Sequence, residues 1–130
     1  MWQEERARWR EYLAENDPEM LKELDAQDEK EAMEAFAGKM AFGTGGLRSV
    51  LGVGPARMNV YTVARATQGL AQAILKSKAP HTVAIAYDTR KNSDVFALTA
   101  ARVLMANGIK AAGEPMLVKP DMDALLAAFA

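Results

Sequence analysis

No cysteine occurs among the 130 residues, and His81 is the one histidine. The first absence excludes a disulfide framework and any thiolate metal site. The second leaves His81 with no companion at metal-ligand spacing, so a surface imidazole is expected there. Aromatic residues make up 7% of the chain and almost none alternates with basic residues, which argues against base stacking and so against a nucleic-acid partner. No apolar run approaches the roughly 18 residues of a membrane span. The start, Met1-Trp2-Gln3-Glu4-Glu5-Arg6, is charged from the outset. A cytoplasmic chain with no membrane anchor is expected. Internal repeats and low-complexity segments are also lacking.

What is present is a chain that is 50% apolar, enough for a real core in one domain. Its net charge of -1 conceals an asymmetry. Residues 1–37 carry five Lys/Arg against twelve Asp/Glu, net -7, whereas residues 38–130 carry eleven against five, net +6. A basic body suits small phosphorylated ligands. The eight methionines are expected to fill gaps in packing.

The densest chemical signal is Phe42-Gly43-Thr44-Gly45-Gly46-Leu47-Arg48. Glycines let successive backbone N–H groups point into one concavity, Thr44 adds a hydroxyl, and an arginine fork matches phosphate oxygens two at a time. The stretch is not a Walker A loop, since no Gly-Lys-Ser/Thr follows. By itself it fits equally a flexible turn ended by a surface arginine.

Around this cluster the pattern predicts an acidic helical leader and then an alternation of strands and helices. Trp2 to Asn16 reads as a helix with Trp2, Trp9, Tyr12 and Leu13 along one stripe. Asp17-Pro18 starts a second, with Met20, Leu21 and Leu24 as its apolar face. Asp28-Glu29-Lys30-Glu31 resembles a capping box opening a third, which runs through Met33 and Phe36 to Gly38. Ser49 to Val53 is predicted as a strand, and Gly52 to Asn59 as a turn region. Asn59 is then expected to cap a helix burying Val60, Val63, Thr67, Leu70, Ala71 and Ile74. Thr82 to Tyr87 reads as a strand covered on both faces. Asp88 to Ser93 is a polar turn, Asp94 to Asn107 a helix with Phe96, Ala100, Val103 and Leu104 inward, and Ile109 to Ala112 a further strand. Such alternation implies α/β layering, with ligands gathering at the strand C-terminal ends. That puts Asp88-Thr89-Arg90 on the functional rim; the same residues also suit a turn closed by a local ion pair. Pro120-Asp121 starts a last predicted helix, in which Ala124 to Ala130 is apolar around its circumference and calls for a cover.

Taken together, AFGTGGLRSVLGVGPARMNVYTVARATQGLA (41–71) and VAIAYDTRKNSDVFALTAARVLMANGIKA (83–111) resemble the first domain of the α-D-phosphohexomutases, nearest the phosphoglucomutase and phosphopentomutase branch. Members of that branch carry an acidic helical leader, then F-G-T-x-G-x-R-G, an R-M-N helix start, and V-x-I-x-Y-D-S-R after a strand. The resemblance spans roughly residues 2–112. It implies a three-layer α/β/α mixed sheet with an N-terminal helical extension, divided as residues 1–38 and 39–130. It also implies an isomerase that shifts a phosphoryl group within a hexose or pentose monophosphate by way of a phosphoserine, with Mg2+ in the full-length enzyme and no metal held by this chain. By matching positions, Thr44 and Arg48 would be catalytic, stabilising the moving phosphate. Gly43, Gly45, Gly46, Asp88, Thr89 and Arg90 would bind phosphate or substrate.

The departures from the family pattern are specific. The T-A-S-H-N-P serine loop, the D-x-D-x-D-R metal loop, the G-E-x-S-G sugar loop and the distal phosphate loop do not occur in these residues. Val118-Lys119-Pro120 stands where relatives carry R-P-T-P. Ser49 replaces the glycine after the motif arginine, and Gly54-Pro55-Ala56 replaces G-T-N, with Pro55 removing a backbone donor. Ser49, Ser77 and Ser93 are the only serines, and none has a base beside it in sequence. The expectation is a first domain that is inactive alone and truncated before its phosphoserine. Its expected partners are a sugar phosphate and either the remaining mutase domains or a second copy through the C-terminal apolar helix. Two other readings are a stand-alone phosphate or sugar-phosphate binding module, and a helical docking or dimerisation domain.

Overall fold

The computed structural model describes residues 1–40, 42–43, 46–47 and 49–112. They fall into two compact units, Met1–Thr62 and Val63–Ala130. The predicted C-terminal helix and Val118-Lys119-Pro120 lie outside the described residues.

The first unit opens with α1 (Trp2–Asn16), α2 (Pro18–Ala26) and α3 (Glu29–Phe36). Local chemistry sets where they start. The Asp17 side chain accepts from the Met20 amide at 3.2 Å, and Pro18 takes the first helical position, where its missing N–H leaves no bond unmade. Asp28 accepts from the Glu31 amide at 2.8 Å while the Glu31 carboxylate accepts from the Asp28 amide at 3.1 Å, so the capping box forms in full. The helices close on a core of Leu13, Leu24, Ala35, Phe36 and Val53. Two residues of the predicted apolar faces stay outside it, Tyr12 at 53% and Met33 at 47% exposure. Trp9 meets Phe36 and Tyr61 edge to face, with ring centroids 5.7 and 5.6 Å apart, an arrangement the ring quadrupoles favour. The Tyr61 hydroxyl donates to Asp17 Oδ2 at 3.0 Å; burial, and then this carboxylate, push the phenol pKa far above its ordinary value.

A short antiparallel hairpin, β1 (Phe42–Gly43) and β2 (Gly46–Leu47), comes next. The strand predicted over Ser49 to Val53 does not form; one bridge, Leu51↔Met58, stands in its place. That bridge is made by Met58 N–H to Val50 O at 2.8 Å and Gly52 N–H to Met58 O at 3.2 Å, and the chain between them folds as a turn, Arg57 N–H to Gly54 O at 3.1 Å. Leu51 is 41% exposed and Val53 is buried although a strand would put both on one face, so there is no continuous buried face for a sheet to use. Gly54 holds φ at +126° and lies against α3: a Cβ there would stand 2.7 Å from the Ala35 carbonyl oxygen and 2.9 Å from Ala35 Cβ. The adjoining Ala56 amide donates to that same carbonyl at 3.0 Å.

Asn59 caps α4 (Val60–Lys76) as its sequence predicts, with Oδ1 accepting from the Tyr61 and Thr62 amides, each at 3.0 Å. Its Nδ2 also donates to Gly52 O at 2.9 Å and Gly54 O at 3.0 Å, so one buried amide closes both the helix start and the preceding turn.

In the second unit, β3 (Thr82–Ala84) pairs in parallel with β4 (Lys110–Ala112) in the register Thr82↔Lys110, Val83↔Ala111 and Ala84↔Ala112. The helix α5 (Ser93–Ala106) connects them in sequence. This is α/β organisation, but β3 is shorter than the predicted Thr82 to Tyr87. Among the described residues it is covered on one face: Val83 and Ile85 pack on Ala71, Leu104 and Ile109, whereas Ala84 and Ala86 are exposed. Leu70, expected to be buried on α4, is 50% exposed. α5 ends as a Schellman motif, with Gly108 at φ +77°, its amide bonded to Met105 O and the Ile109 amide to Leu104 O, both at 3.0 Å. That turn drops Ile109 into the core ahead of β4. No helix among the described residues is long and apolar enough to cross a membrane.

Candidate functional site

The first group of candidate residues lies on the hairpin of the first unit. Gly43 pairs with Gly46 and Phe42 with Leu47. Gly46 takes φ +118° with open space where a Cβ would stand, so glycine is needed there for conformation and not for room. Thr44, Gly45 and Arg48 lie outside the described residues. The base of the hairpin is tied to residues 55 and 56: Met40 N–H donates to Pro55 O at 3.1 Å and Ser49 Oγ to Ala56 O at 2.5 Å.

The second group lies in the second unit, on the turn between β3 and α5. The Asp88 carboxylate gathers three donors: the Arg90 amide at 2.9 Å and Ser93 Oγ at 3.0 Å on Oδ1, and Arg90 Nε at 2.7 Å on Oδ2. The Arg90 backbone bond first, then its side chain and Ser93, hold the Asp88 pKa below the ordinary carboxylate range, against a smaller opposing effect of desolvation. Such a carboxylate stays ionised at neutral pH and serves as a clamp, not as an acid. The local ion pair is therefore formed, and it engages only Nε of Arg90. The Arg90 side chain is 86% exposed, and the bond through Nε leaves the edge of its terminal nitrogens, the edge that matches two phosphate oxygens, outside the ion pair. Thr89 is exposed beside it. Asn92 follows in the left-handed region at φ +67°, reversing the chain so that α5 begins at Ser93.

Sequence reasoning weighs Ser93 only as a nucleophile, and it misses the bond to Asp88. The signal was a hydroxyl at the first residue of a helix, with an aspartate opening the turn before it. It equally misses the tie between Ser49 and Ala56, which depends on a turn folding back over seven residues.

Among the described residues no group of three or more His, Asp or Glu converges, and the Asp88 oxygens already accept three hydrogen bonds.

Comparison with known proteins supplies a further finding. Residues 39–126 match the family model described as phosphoglucomutase/phosphomannomutase, alpha/beta/alpha domain I. The chain is 42% identical over 87 residues to a phosphoglucomutase of Staphylococcus saprophyticus, a match covering 67% of this chain and 16% of that protein. It is 38% identical over 90 residues to a probable phosphoribomutase of Schizosaccharomyces pombe, covering 67% and 15% respectively. A phosphoglucomutase of Staphylococcus haemolyticus is 35% identical over 86 residues, covering 66% and 16%. The chain thus spans about one sixth of the length of these relatives. No solved structure matches it.

Proposed function

Because the chain belongs to the phosphoglucomutase/phosphomannomutase family, through that family's domain I, we propose that it is the phosphate-handling first domain of a sugar-phosphate mutase. In this reading residues 1–38 are a helical leader and residues 39–130 a three-layer domain I. Thr44 and Arg48 stabilise the phosphoryl group in transit, Arg48 by a fixed positive charge held where charge develops. Gly43, Gly45 and Gly46 let the backbone approach the phosphate. Thr89 and Arg90 bind substrate oxygens, and Asp88 holds Arg90 in place. The substrate is a hexose or pentose monophosphate. The phosphoserine and the ligands of the Mg2+ expected of the family are supplied by residues other than these; no step assigned to this chain runs through the metal. The enzyme works in the cytoplasm, and a cover for the apolar segment Ala124 to Ala130 comes from the remaining mutase domains or from a second copy.

The observation that carries the reading is the paired Gly43↔Gly46 hairpin with Gly46 at φ +118°, inside the span matched by the family model. It is tested by thermal-shift titration with glucose 1,6-bisphosphate and inorganic phosphate, comparing the chain with its Arg48→Ala variant. A ligand at about 100 times its Kd stabilises the fold by roughly 2.7 kcal/mol, and the variant should lose that shift. An equal shift in both proteins would remove Arg48 from the site. Absence of a shift in the wild type would mean that the site is completed only by the remaining domains. Free of contaminating mutase, the chain should not interconvert glucose 1-phosphate and glucose 6-phosphate; turnover would overturn the assignment of the phosphoserine elsewhere.

A further inference from the structure

We propose that Ser49 is a positioning residue for the glycine hairpin, its hydroxyl anchoring the end of the hairpin to the Ala56 carbonyl. Two consecutive carbonyls hold the two ends of this stretch. Before the hairpin, Met40 N–H donates to Pro55 O at 3.1 Å; after it, Ser49 Oγ donates to Ala56 O at 2.5 Å. Residues 54–56 are themselves fixed on α3, since the Ala56 amide donates to Ala35 O at 3.0 Å and Gly54 packs within 2.7 Å of that oxygen, measured from the Cβ it lacks. A connected path therefore runs from the C-terminal end of α3 through Ala56 to Ser49 and the hairpin.

The hairpin needs this support. It has two paired positions, and glycines form one of the pairs, so that pair has no side chains to pack and its backbone loses more freedom on ordering than other residues would. The anchor at Met40 is a backbone bond that any side chain would leave in place. The anchor at Ser49 exists only because the residue carries a hydroxyl. Ser49 stands where the family motif has glycine, so the motif itself has no hydroxyl for this bond. The functional consequence rests on the phosphate reading above; the mechanical one does not.

The test measures amide hydrogen exchange at those of Phe42, Gly43, Gly46 and Leu47 that are protected in the wild-type chain, in that chain, in Ser49→Ala and in Ser49→Thr, with inorganic phosphate affinity read on the same three proteins. Ser49→Ala should exchange about fivefold faster at these amides, the factor expected from losing one neutral hydrogen bond, with a comparable loss in phosphate affinity. Ser49→Thr, which keeps the hydroxyl, should restore both. Unchanged exchange in Ser49→Ala, failure of threonine to restore it, or faster exchange spread over all five helices would each overturn the proposal. If the hairpin amides respond as expected while the wild type takes up no phosphate, the anchor stands and the phosphate reading falls.

Discussion

Replacing Gly54 by alanine should destabilise the first unit more than any other single-methyl addition to its described residues. Gly54 sits at φ +126°, a region essentially closed to residues with a side chain, and an added Cβ would lie 2.7 Å from Ala35 O and 2.9 Å from Ala35 Cβ. Both neighbours belong to a helix backbone or its first side-chain atom, so no flexible group can swing aside. Backbone strain of about 1–3 kcal/mol and overpacking of about 1–3 kcal/mol combine to roughly 2–6 kcal/mol. Against a total folding stability of about 5–15 kcal/mol for a typical domain, that is a large share. The bond from Ala56 N–H to Ala35 O lies beside the clash and should weaken with it. Urea unfolding followed by the fluorescence of Trp2 and Trp9 reads the change, and Gly38→Ala is the control, since a Cβ at Gly38 meets nothing within 4 Å. A loss below about 1 kcal/mol, at an unchanged m-value, would refute the argument that α3 and the 54–56 turn are in rigid contact.

Asn59→Ala should cost more than Asp28→Ala in the same assay. Asp28 loses an exposed cap worth about 0.5–2 kcal/mol, whereas Asn59 also takes its donor from the Gly52 carbonyl and leaves the Gly54 carbonyl with the Arg57 amide alone. Equal losses would show that the Asn59 bonds to the turn contribute nothing. Gly69→Ala, inside α4 with open space at the Cβ position, should stabilise the chain by about 0.5–1 kcal/mol; a loss of stability would mean that something covers this position. Asp88 has its pKa lowered by folding, so its contribution is present above the ordinary carboxylate pKa of about 3.9 and is lost as pH falls below it through the folded value. Asp88→Asn should therefore flatten the acid limb of the stability–pH curve and leave its slope above pH 5 unchanged; an unaltered acid limb would remove the clamp.

Helix starts were legible because each is decided within three or four residues. Asp17-Pro18, the Asp28–Glu31 box and Asn59 carry their own caps, and the structure forms all three. Gly108 announced the end of α5 for the same reason, since a left-handed residue closes a Schellman motif by local bonds. Strand extents were not legible. A strand exists by virtue of a partner, and Ser49 to Val53 found none beyond one bridge while Thr82 to Ala84 found β4. Burial was partly legible: the helical period put Leu13, Leu24 and Ala71 inside, but it could not tell that Tyr12 and Leu70, on the same predicted stripes, would be exposed at the margins.

The sequence by itself determined the family, the order of the five described helices and of the two strands of the second unit, and the types of residue proposed to meet a phosphate, because motif chemistry and capping are written in neighbouring positions. Tertiary structure alone decided that Asp17 reaches Tyr61 across 44 residues, that Ala35 takes up Gly54 and Ala56, that Ser49 closes on Ala56, and that Ser93 joins Arg90 on one carboxylate. Each of these depends on where a turn or helix end arrives in space after the core has packed. Sequence spacing fixes which partners are close along the chain, and only packing selects among those that are far apart in it.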